Sequence, residues 1–323
     1  MAKSRRWGVC VTAPHEHPAR LSPAGALTML GITVVILGIN WPIMKQGLES
    51  IDPLWFAFVR VTAAGVVVTT VAMAMGRLRP PPREDWPVVL SVGLAGTGIH
   101  LAILFTALQY VPAGRSSVLV WTAALWTVPI ASVALQERMS PRRWVGLIAG
   151  IAGIVLLFEP WRFAWSDGDV VLGNSLLLGT AVLQAAVIVH TRAHRWRTGP
   201  TDALPWQMLT AAVPLLVVAL IWEGAPRIDW SVGFAGIVAY QAVLATGFSA
   251  WSRQIVVLSL RATTVSLVMM AIPLVGIVAS VVALDERVTI AAAIGVAAIG
   301  IGVAMSVLAE RVDPVALEAQ PLD

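Results

Sequence analysis

The feature that most restricts this chain is a series of apolar segments, each about 20 residues long, that recur over almost its whole length. A helix needs about 20 mainly apolar residues to cross the hydrocarbon core of a bilayer. Hydrophobic residues make up 58% of the 323 residues and charged residues only 12%, against about 45–50% and about 25% in soluble domains. The sequence therefore predicts an integral membrane protein with no room for a soluble domain.

Proline, glycine and charged residues divide the apolar sequence into ten segments, which predict ten transmembrane helices in an all-α fold. The links are short, as in "GRLRPPPRED" and "QERMSPRR". Arginine and lysine concentrate in the N-terminal tail and in every second link, and the C-terminal tail adds Arg311. Because cytoplasmic loops carry the excess of these residues, we expect both termini in the cytoplasm. Residues 1–20 contain no apolar stretch long enough for a signal peptide.

The two halves of the chain repeat. "LQERMSPRRWVGLIAGIAGIVLL" at 135–157 aligns with "LDERVTIAAAIGVAAIGIGVAM" at 284–305, and matched residues such as Glu137 and Glu286 share an offset of 149. Each unit holds five predicted helices, an odd number, so the second unit must be inverted in the membrane. Inverted repeats are common in secondary transporters, where the substrate binds near the midplane between them.

The predicted organisation has four parts, and the two repeats enclose a central cavity. These parts are a cytoplasmic tail at 1–23, a first repeat at 24–158, an inverted second repeat at 170–308 and a cytoplasmic tail at 309–323.

The five-plus-five arrangement, the "NWPIMKQGL…PLWFAFVR" segment and the paired Glu-Arg turns resemble the EamA-type branch of the drug/metabolite transporter superfamily. The resemblance covers about residues 24–308. Within this branch, the chain is most similar to bacterial exporters of aromatic amino acids. The resemblance implies a basket-shaped ten-helix fold with a central cavity, a multi-pass location in the bacterial inner membrane, and outward movement of amino acids.

Acidic residues are excluded from the apolar helices. All 18 Asp and Glu residues fall in tails, loops or helix ends. Carriers that exchange a proton for a cation commonly use a buried carboxylate, so coupling here is predicted to use another group or to be absent. No cofactor or metal site is predicted, and the single cysteine, Cys10, can form no internal disulfide.

His100 is the one histidine near the middle of a predicted helix. It could change charge near neutral pH, carry a proton or bind a substrate carboxylate. Its repeat partner at offset 149 is Ser249, also polar, which favours a shared central cavity. The alternative is a histidine that only hydrogen-bonds a neighbouring helix.

Most of the 14 tryptophans lie near helix ends, where an aromatic belt is expected. Trp41 and Trp121 lie deeper, and the repeat aligns Trp121 with Met270. An indole opposite a flexible thioether would suit a flat apolar ligand. Core packing is the alternative.

The stretch "GINWPIMK" interrupts the first apolar segment with polar residues. Pro42 leaves the carbonyl of Gly38 without its helical donor, which predicts a hinge at these two residues. Asn40 and the freed backbone should face protein or a wet cavity. We therefore expect Trp41 near the outer side of the cavity, with a packing kink as the alternative.

The remaining polar residues inside predicted helices are two glutamines, a tyrosine and two arginines. Gln184, Tyr240 and Gln241 could hydrogen-bond the carboxylate or amino group of a zwitterion. Arg60 could contact a ligand or form a structural ion pair. Arg253 could contact a ligand or extend its side chain to the membrane surface.

These features predict a secondary transporter that exports amino acids, aromatic and other amphiphilic ones, by alternating access. The alternative is an exporter of other small metabolites or drugs. Nucleotide-type substrates fit less well, because a phosphate would require several cationic residues in the cavity. No HExxH, P-loop or Gly-x-Ser-x-Gly motif suggests an enzyme. The expected partners are the substrate and the bilayer, not nucleic acid, and we expect a monomer.

Overall fold

The protein is helical throughout the part of the chain that the structure, a computed structural model, describes: residues 21–134, 141–158, 167–199, 202–259, 265, 268–269 and 271–309. Seven helices in these ranges are long and apolar enough to cross a membrane. The predicted class, an all-α multi-pass membrane protein, is confirmed.

The described ranges contain thirteen α-helices with defined bounds, two π-helical segments, π1 and π2, and a 3₁₀ turn at Arg83–Asp85. Their bounds are α1 Pro23–Gly47, α2 Pro53–Ala74, α3 Trp86–Leu90, π1 Ser91–Ile99, α4 His100–Leu108, α5 Ala113–Trp121, α6 Ala123–Ala134, α7 Pro141–Phe158, α8 Gly168–Ala193, α9 Leu204–Trp222, α10 Val232–Ala239, π2 Tyr240–Phe248, α11 Ser249–Ser259, α12 Ala271–Leu284 and α13 Ile290–Ala309.

Proline marks the start of several helices. Pro23 and Pro53 occupy the first turns of α1 and α2, where a residue without an N–H loses no hydrogen bond. Ser22 precedes α1, and its hydroxyl accepts a bond of 3.2 Å from the N–H of Gly25. These local signals position the short loops between the apolar helices.

The π-helical segments occupy equivalent places in the two halves. π1 and π2 each contain nine residues, and the offset between their first residues, Ser91 and Tyr240, is 149. Each ends on a bond that skips one residue more than in an α-helix: the N–H of His100 reaches the carbonyl of Ala95, and that of Ser249 reaches Leu244. π-Helical turns are rare and are frequent at functional sites. The offset read from the sequence is therefore repeated in the backbone.

Most of the larger helix contacts join the first half of the chain to the second. Helix α1 packs against α11 and α12, α2 packs against α9 and π2, and α7 packs against α13. Helix α8 packs in turn against α4 and α6. The main hydrophobic core runs through these contacts, with Phe56, Phe105 and Phe234 fully buried in it.

Two buried or partly buried carboxylates cap helices at one end of the bundle, which we call the Glu223 end (loops 48–52, 109–112, 223–231 and 285–289). Glu223 accepts bonds of 2.9 and 3.0 Å from the N–H groups of Leu54 and Trp55, at the start of α2. Burial raises the pKa of the Glu223 carboxyl, and these two N–H groups oppose that rise. Glu286 likewise accepts bonds from the N–H groups of Ala113 and Gly114, at the start of α5.

Asp85 joins the two halves at the opposite end of the bundle, the Asp85 end (loops 75–85 and 194–203). Its fully buried carboxylate accepts bonds of 2.8 Å from His194 Nε2 and 2.9 Å from the N–H of Thr198. The backbone N–H of Arg197 adds a weaker bond. Both ends of the bundle are thus held by carboxylates that bridge the halves.

Candidate functional site

Six side chains from four helical segments meet about two helical turns inside the Glu223 end. We call this group the Arg60 cluster; its members are Asn40, Met44, Arg60, His100, Phe105 and Tyr240. It joins α1, α2 and α4 of the first half to π2 of the second half. The cluster is therefore a place where both halves contribute polar groups inside apolar helices.

Arg60 lies at the centre of the cluster. Its Nη1 donates to the Met44 sulfur at 3.0 Å, and its Cζ lies 6.0 Å from the centroid of the Phe105 ring. Tyr240 and His100 lie close enough to interact with its charge. Among the described residues no carboxylate forms an ion pair with Arg60. The ion pair that the sequence left open as one role for this arginine is therefore absent from the described part of the chain.

The amide of Asn40 is only half satisfied. Its Nδ2 donates to the same Met44 sulfur at 3.4 Å, while its Oδ1 is buried without a hydrogen-bond partner among the described residues. A thioether is a weak acceptor, yet here it serves both Asn40 and Arg60. The Asn40 amide and the Arg60 guanidinium thus donate to one and the same sulfur atom.

Hydrogen bonds of His100 and Gln184 link α4 and π1 in the first half to α8 in the second half. His100 Nδ1 and Thr180 Oγ1 share a hydrogen bond of 2.7 Å, with both residues buried. Gln184 Nε2 donates to the carbonyl of Gly96 at 3.0 Å, within π1. Thr180 is the partner on a neighbouring helix that the alternative interpretation of His100 requires. A role for His100 in the cavity stays a prediction.

Polar residues of π2 and α11 contact α1 in a similar way. The Tyr240 hydroxyl donates to the carbonyl of Ile36 at 2.6 Å, and Ser252 shares a bond of 2.6 Å with Thr33. Ser249 is buried and donates to the carbonyl of Leu244. Gln241 is fully buried, and neither its oxygen nor its nitrogen has a hydrogen-bond partner among the described residues.

Trp41 and Trp121 belong to the main hydrophobic core. Trp41 is buried, with its Cδ1 beside Gly276 of α12, and Trp121 is partly buried against the core. Gly38 lies against α12 as well: a Cβ there would overlap the Val275 side chain. Close packing of α1 against α12 therefore accounts for a glycine at position 38. The hinge at Gly38 and Pro42 stays a prediction.

Two of the sequence-predicted residues cannot be placed. Met270 and the side chain of Arg253 lie outside the residues that the structure describes.

The sequence did not single out Met44, Phe105 and Thr180 as partners of the site. All three are buried on apolar helices, and their residue types are ordinary in a helix core. Thr180 offered one usable signal, because it is a polar residue in the middle of the apolar α8.

Comparison with known proteins places the chain in a family. The profile of the EamA-like transporter family matches the chain twice, at residues 24–159 and 171–308. The chain belongs to this family. The EamA-like assignment confirms the resemblance seen in the sequence, and relatives of the chain are transporters rather than enzymes.

Three relatives show how far the similarity of this EamA-like chain extends. It is 26% identical to the uncharacterized transporter YoaV of Bacillus subtilis, over 86% of this chain and 96% of YoaV. It is 26% identical to a probable amino-acid metabolite efflux pump of Escherichia coli, over 82% and 88%. It is 27% identical to a probable terminal-alkyne amino-acid exporter of Streptantibioticus cattleyicolor, over 81% and 86%.

A solved crystal structure shares the fold. It is 22% identical in sequence and superposes with a TM-score of 0.62 over 93% of this chain and 100% of the other. At this identity the match supports the fold alone.

Proposed function

We propose that this EamA-like transporter exports amino acids and related amphiphilic metabolites by alternating access. The observation that carries the proposal is the pair of nine-residue π-helical segments at an offset of 149, each followed by a polar residue, His100 or Ser249. In a bilayer, irregular backbone is tolerated only where it is buried in protein or lines a cavity. Two such segments at equivalent places favour a site between two related halves.

The proposed architecture has ten transmembrane helices in two inverted repeats, 24–158 and 170–308. The two matches to the family profile and the helix pairings between the halves support it. Loops that this topology assigns to one side of the membrane also contact each other: Glu223 reaches α2, Glu286 reaches α5, and Asp85 reaches the loop after α8. We place both termini in the cytoplasm and the Glu223 end outside, following the charge distribution.

The substrate class follows from the chemistry of the proposed cavity and from the relatives. Trp41, Trp121, Gln184, Gln241, Ser249 and Met270 complete the set that we propose around the Arg60 cluster. Aromatic and thioether side chains suit an apolar group, and amides and hydroxyls suit a zwitterion. The E. coli and S. cattleyicolor relatives are named as a probable efflux pump of amino-acid metabolites and a probable amino-acid exporter. Aromatic amino acids are the first substrates that we would test.

Efflux from proteoliposomes tests this function. Liposomes that contain the purified protein are loaded with a panel of radiolabelled amino acids, aromatic, aliphatic and charged. We expect at least one aromatic amino acid to leave at least about tenfold faster than from protein-free liposomes of the same lipid, because a carrier replaces the bilayer barrier with a polar path. If every amino acid in the panel leaves at the protein-free rate, the proposed substrate class is wrong.

A further inference from the structure

We infer that Arg60 is the binding residue for the carboxylate of the substrate, so that an anionic group is required for recognition. This inference rests on the proposed function for its physiological meaning, but the site itself is argued from the contacts of Arg60. None of the relatives' names assigns such a site.

Arg60 carries a positive charge that no neighbouring described residue balances. A guanidinium cannot lose its proton in a protein, and a charge inside apolar helices is expensive unless it is paired. In the described part of the chain, Arg60 donates to a thioether and lies over one aromatic ring. Neither partner carries a negative charge, and the ring lies at the outer limit of the distance for a cation–π contact. Among the residues that the structure describes, the arginine therefore has no counter-ion.

Arg60 lies at a junction of helices and is not fully enclosed by its neighbours. Met44 and Phe105 are fully buried around it, yet Arg60 keeps part of its surface accessible. Met44, Phe105 and Tyr240 come from three other helical segments, so Arg60 lies where helices of both halves meet. A ligand bound between the two halves at this depth would meet the cation directly.

Asn40, beside the cation, has an unused hydrogen-bond acceptor. The Asn40 Oδ1 has no hydrogen-bond partner among the described residues, although Asn40 is only 5% exposed. An unpartnered acceptor of this kind suits the donor hydrogens of an ammonium. Asn40 and Arg60 are linked through the Met44 sulfur. A cation for a carboxylate and an amide oxygen for an ammonium, on neighbouring side chains, match the two charges on the α-carbon of an amino acid.

A carboxylate suits this single cation better than a phosphate does. A guanidinium forms paired, parallel hydrogen bonds with a carboxylate or a phosphate. A phosphate with two charges would leave one charge unmatched, because Arg60 is the one cationic side chain that the described part of the cluster contains. A carboxylate with a single charge balances it.

Binding measurements on purified protein in detergent test the inference with three related compounds. Phenylalanine carries both charges, N-acetylphenylalanine carries the carboxylate alone, and phenylalaninamide lacks the carboxylate. By titration calorimetry at pH 7, we expect the wild type to bind both carboxylates at least about tenfold more tightly than phenylalaninamide. Arg60→Gln should abolish this preference, and Arg60→Lys should retain most of it because the positive charge remains.

A second arginine, far from the cluster, serves as the control. Arg77→Gln removes the same charge from a partly exposed ion pair with Asp202 at the Asp85 end, and it should leave the preference unchanged. Circular dichroism and gel filtration of each variant check that it is folded.

The inference is overturned if the wild type binds phenylalaninamide as tightly as the carboxylates, if it binds none of the three, or if folded Arg60→Gln keeps the preference. Failure of the proposed function is a different result. A wild type that binds carboxylates through Arg60 but releases no amino acid from liposomes would retain the anion site and refute export.

Discussion

Replacing Asp85 with alanine is expected to lower the free energy of unfolding by about 3 kcal/mol. The carboxylate is fully buried, and it accepts hydrogen bonds from His194 Nε2 and from the backbone N–H groups of Arg197 and Thr198. Removing it leaves these donors unsatisfied in a place that water cannot readily reach, and breaking such a buried network costs about 3–5 kcal/mol. Unfolding of the purified protein in mixed micelles, followed by tryptophan fluorescence, measures the loss.

The neighbouring residue provides the control for Asp85. Glu84 is 56% exposed and lies 3.9 Å from the Arg197 guanidinium, and exposed ion pairs contribute about 0–1 kcal/mol. Glu84→Ala should therefore shift the unfolding transition by less than about 1 kcal/mol. Equal losses for the two variants would show that the Asp85 contacts do not hold the halves together at this end.

Replacing Gly93 with alanine is expected to cost about 2 kcal/mol of the free energy of unfolding. A Cβ at Gly93 would overlap the Thr210 hydroxyl and lie 2.5 Å from the carbonyl oxygen of Gln207. Because Thr210 itself donates to that carbonyl, neither atom can move without losing a bond. Overpacking of this kind typically costs about 1–3 kcal/mol. The same unfolding assay measures the change.

Gly98→Ala is the matched control, because Gly98 belongs to the same π1 segment and faces the same helix, α9. A Cβ there would meet Ala211 at 3.5 Å, an ordinary contact. We expect Gly98→Ala to be neutral or slightly stabilising, since alanine restricts the unfolded chain. A Gly98 variant as unstable as the Gly93 variant would mean that any side chain in π1 is harmful, whatever its distance to α9.

The membrane class and the relation between the halves could be predicted because both leave signals in the sequence. Apolar length predicts spans, and the Glu-Arg turns at 137 and 286 mark the repeat through a constant offset. The π-helical segments could not be predicted. One extra residue in a turn of a mainly apolar helix changes no pattern of residue types. The helices that pack against π1 are α8 and α9, and those against π2 include α2 and α11, all distant in sequence or recognisable only in the fold.

The Arg60 cluster was predicted only in part. His100, Tyr240 and Asn40 stand out in the sequence because polar residues are rare in apolar helices, and Arg60 was singled out with two roles left open. Which of them meet depends on how four separate helical segments cross, and no local pattern records this. Met44 and Phe105 complete the cluster although each, alone, is an ordinary core residue.

The contacts around Glu223 have a consequence for how sequences of this kind can vary. Surface loops usually tolerate changes in length, because little depends on their path. Here the carboxylate at the start of loop 223–231 caps α2, and Ile228 and Asp229 further along pair with Ile51 and Ser50. An insertion between these two anchor points would separate them by about 3 Å per added residue. This turn should therefore accept substitutions at its exposed tip far more readily than insertions or deletions.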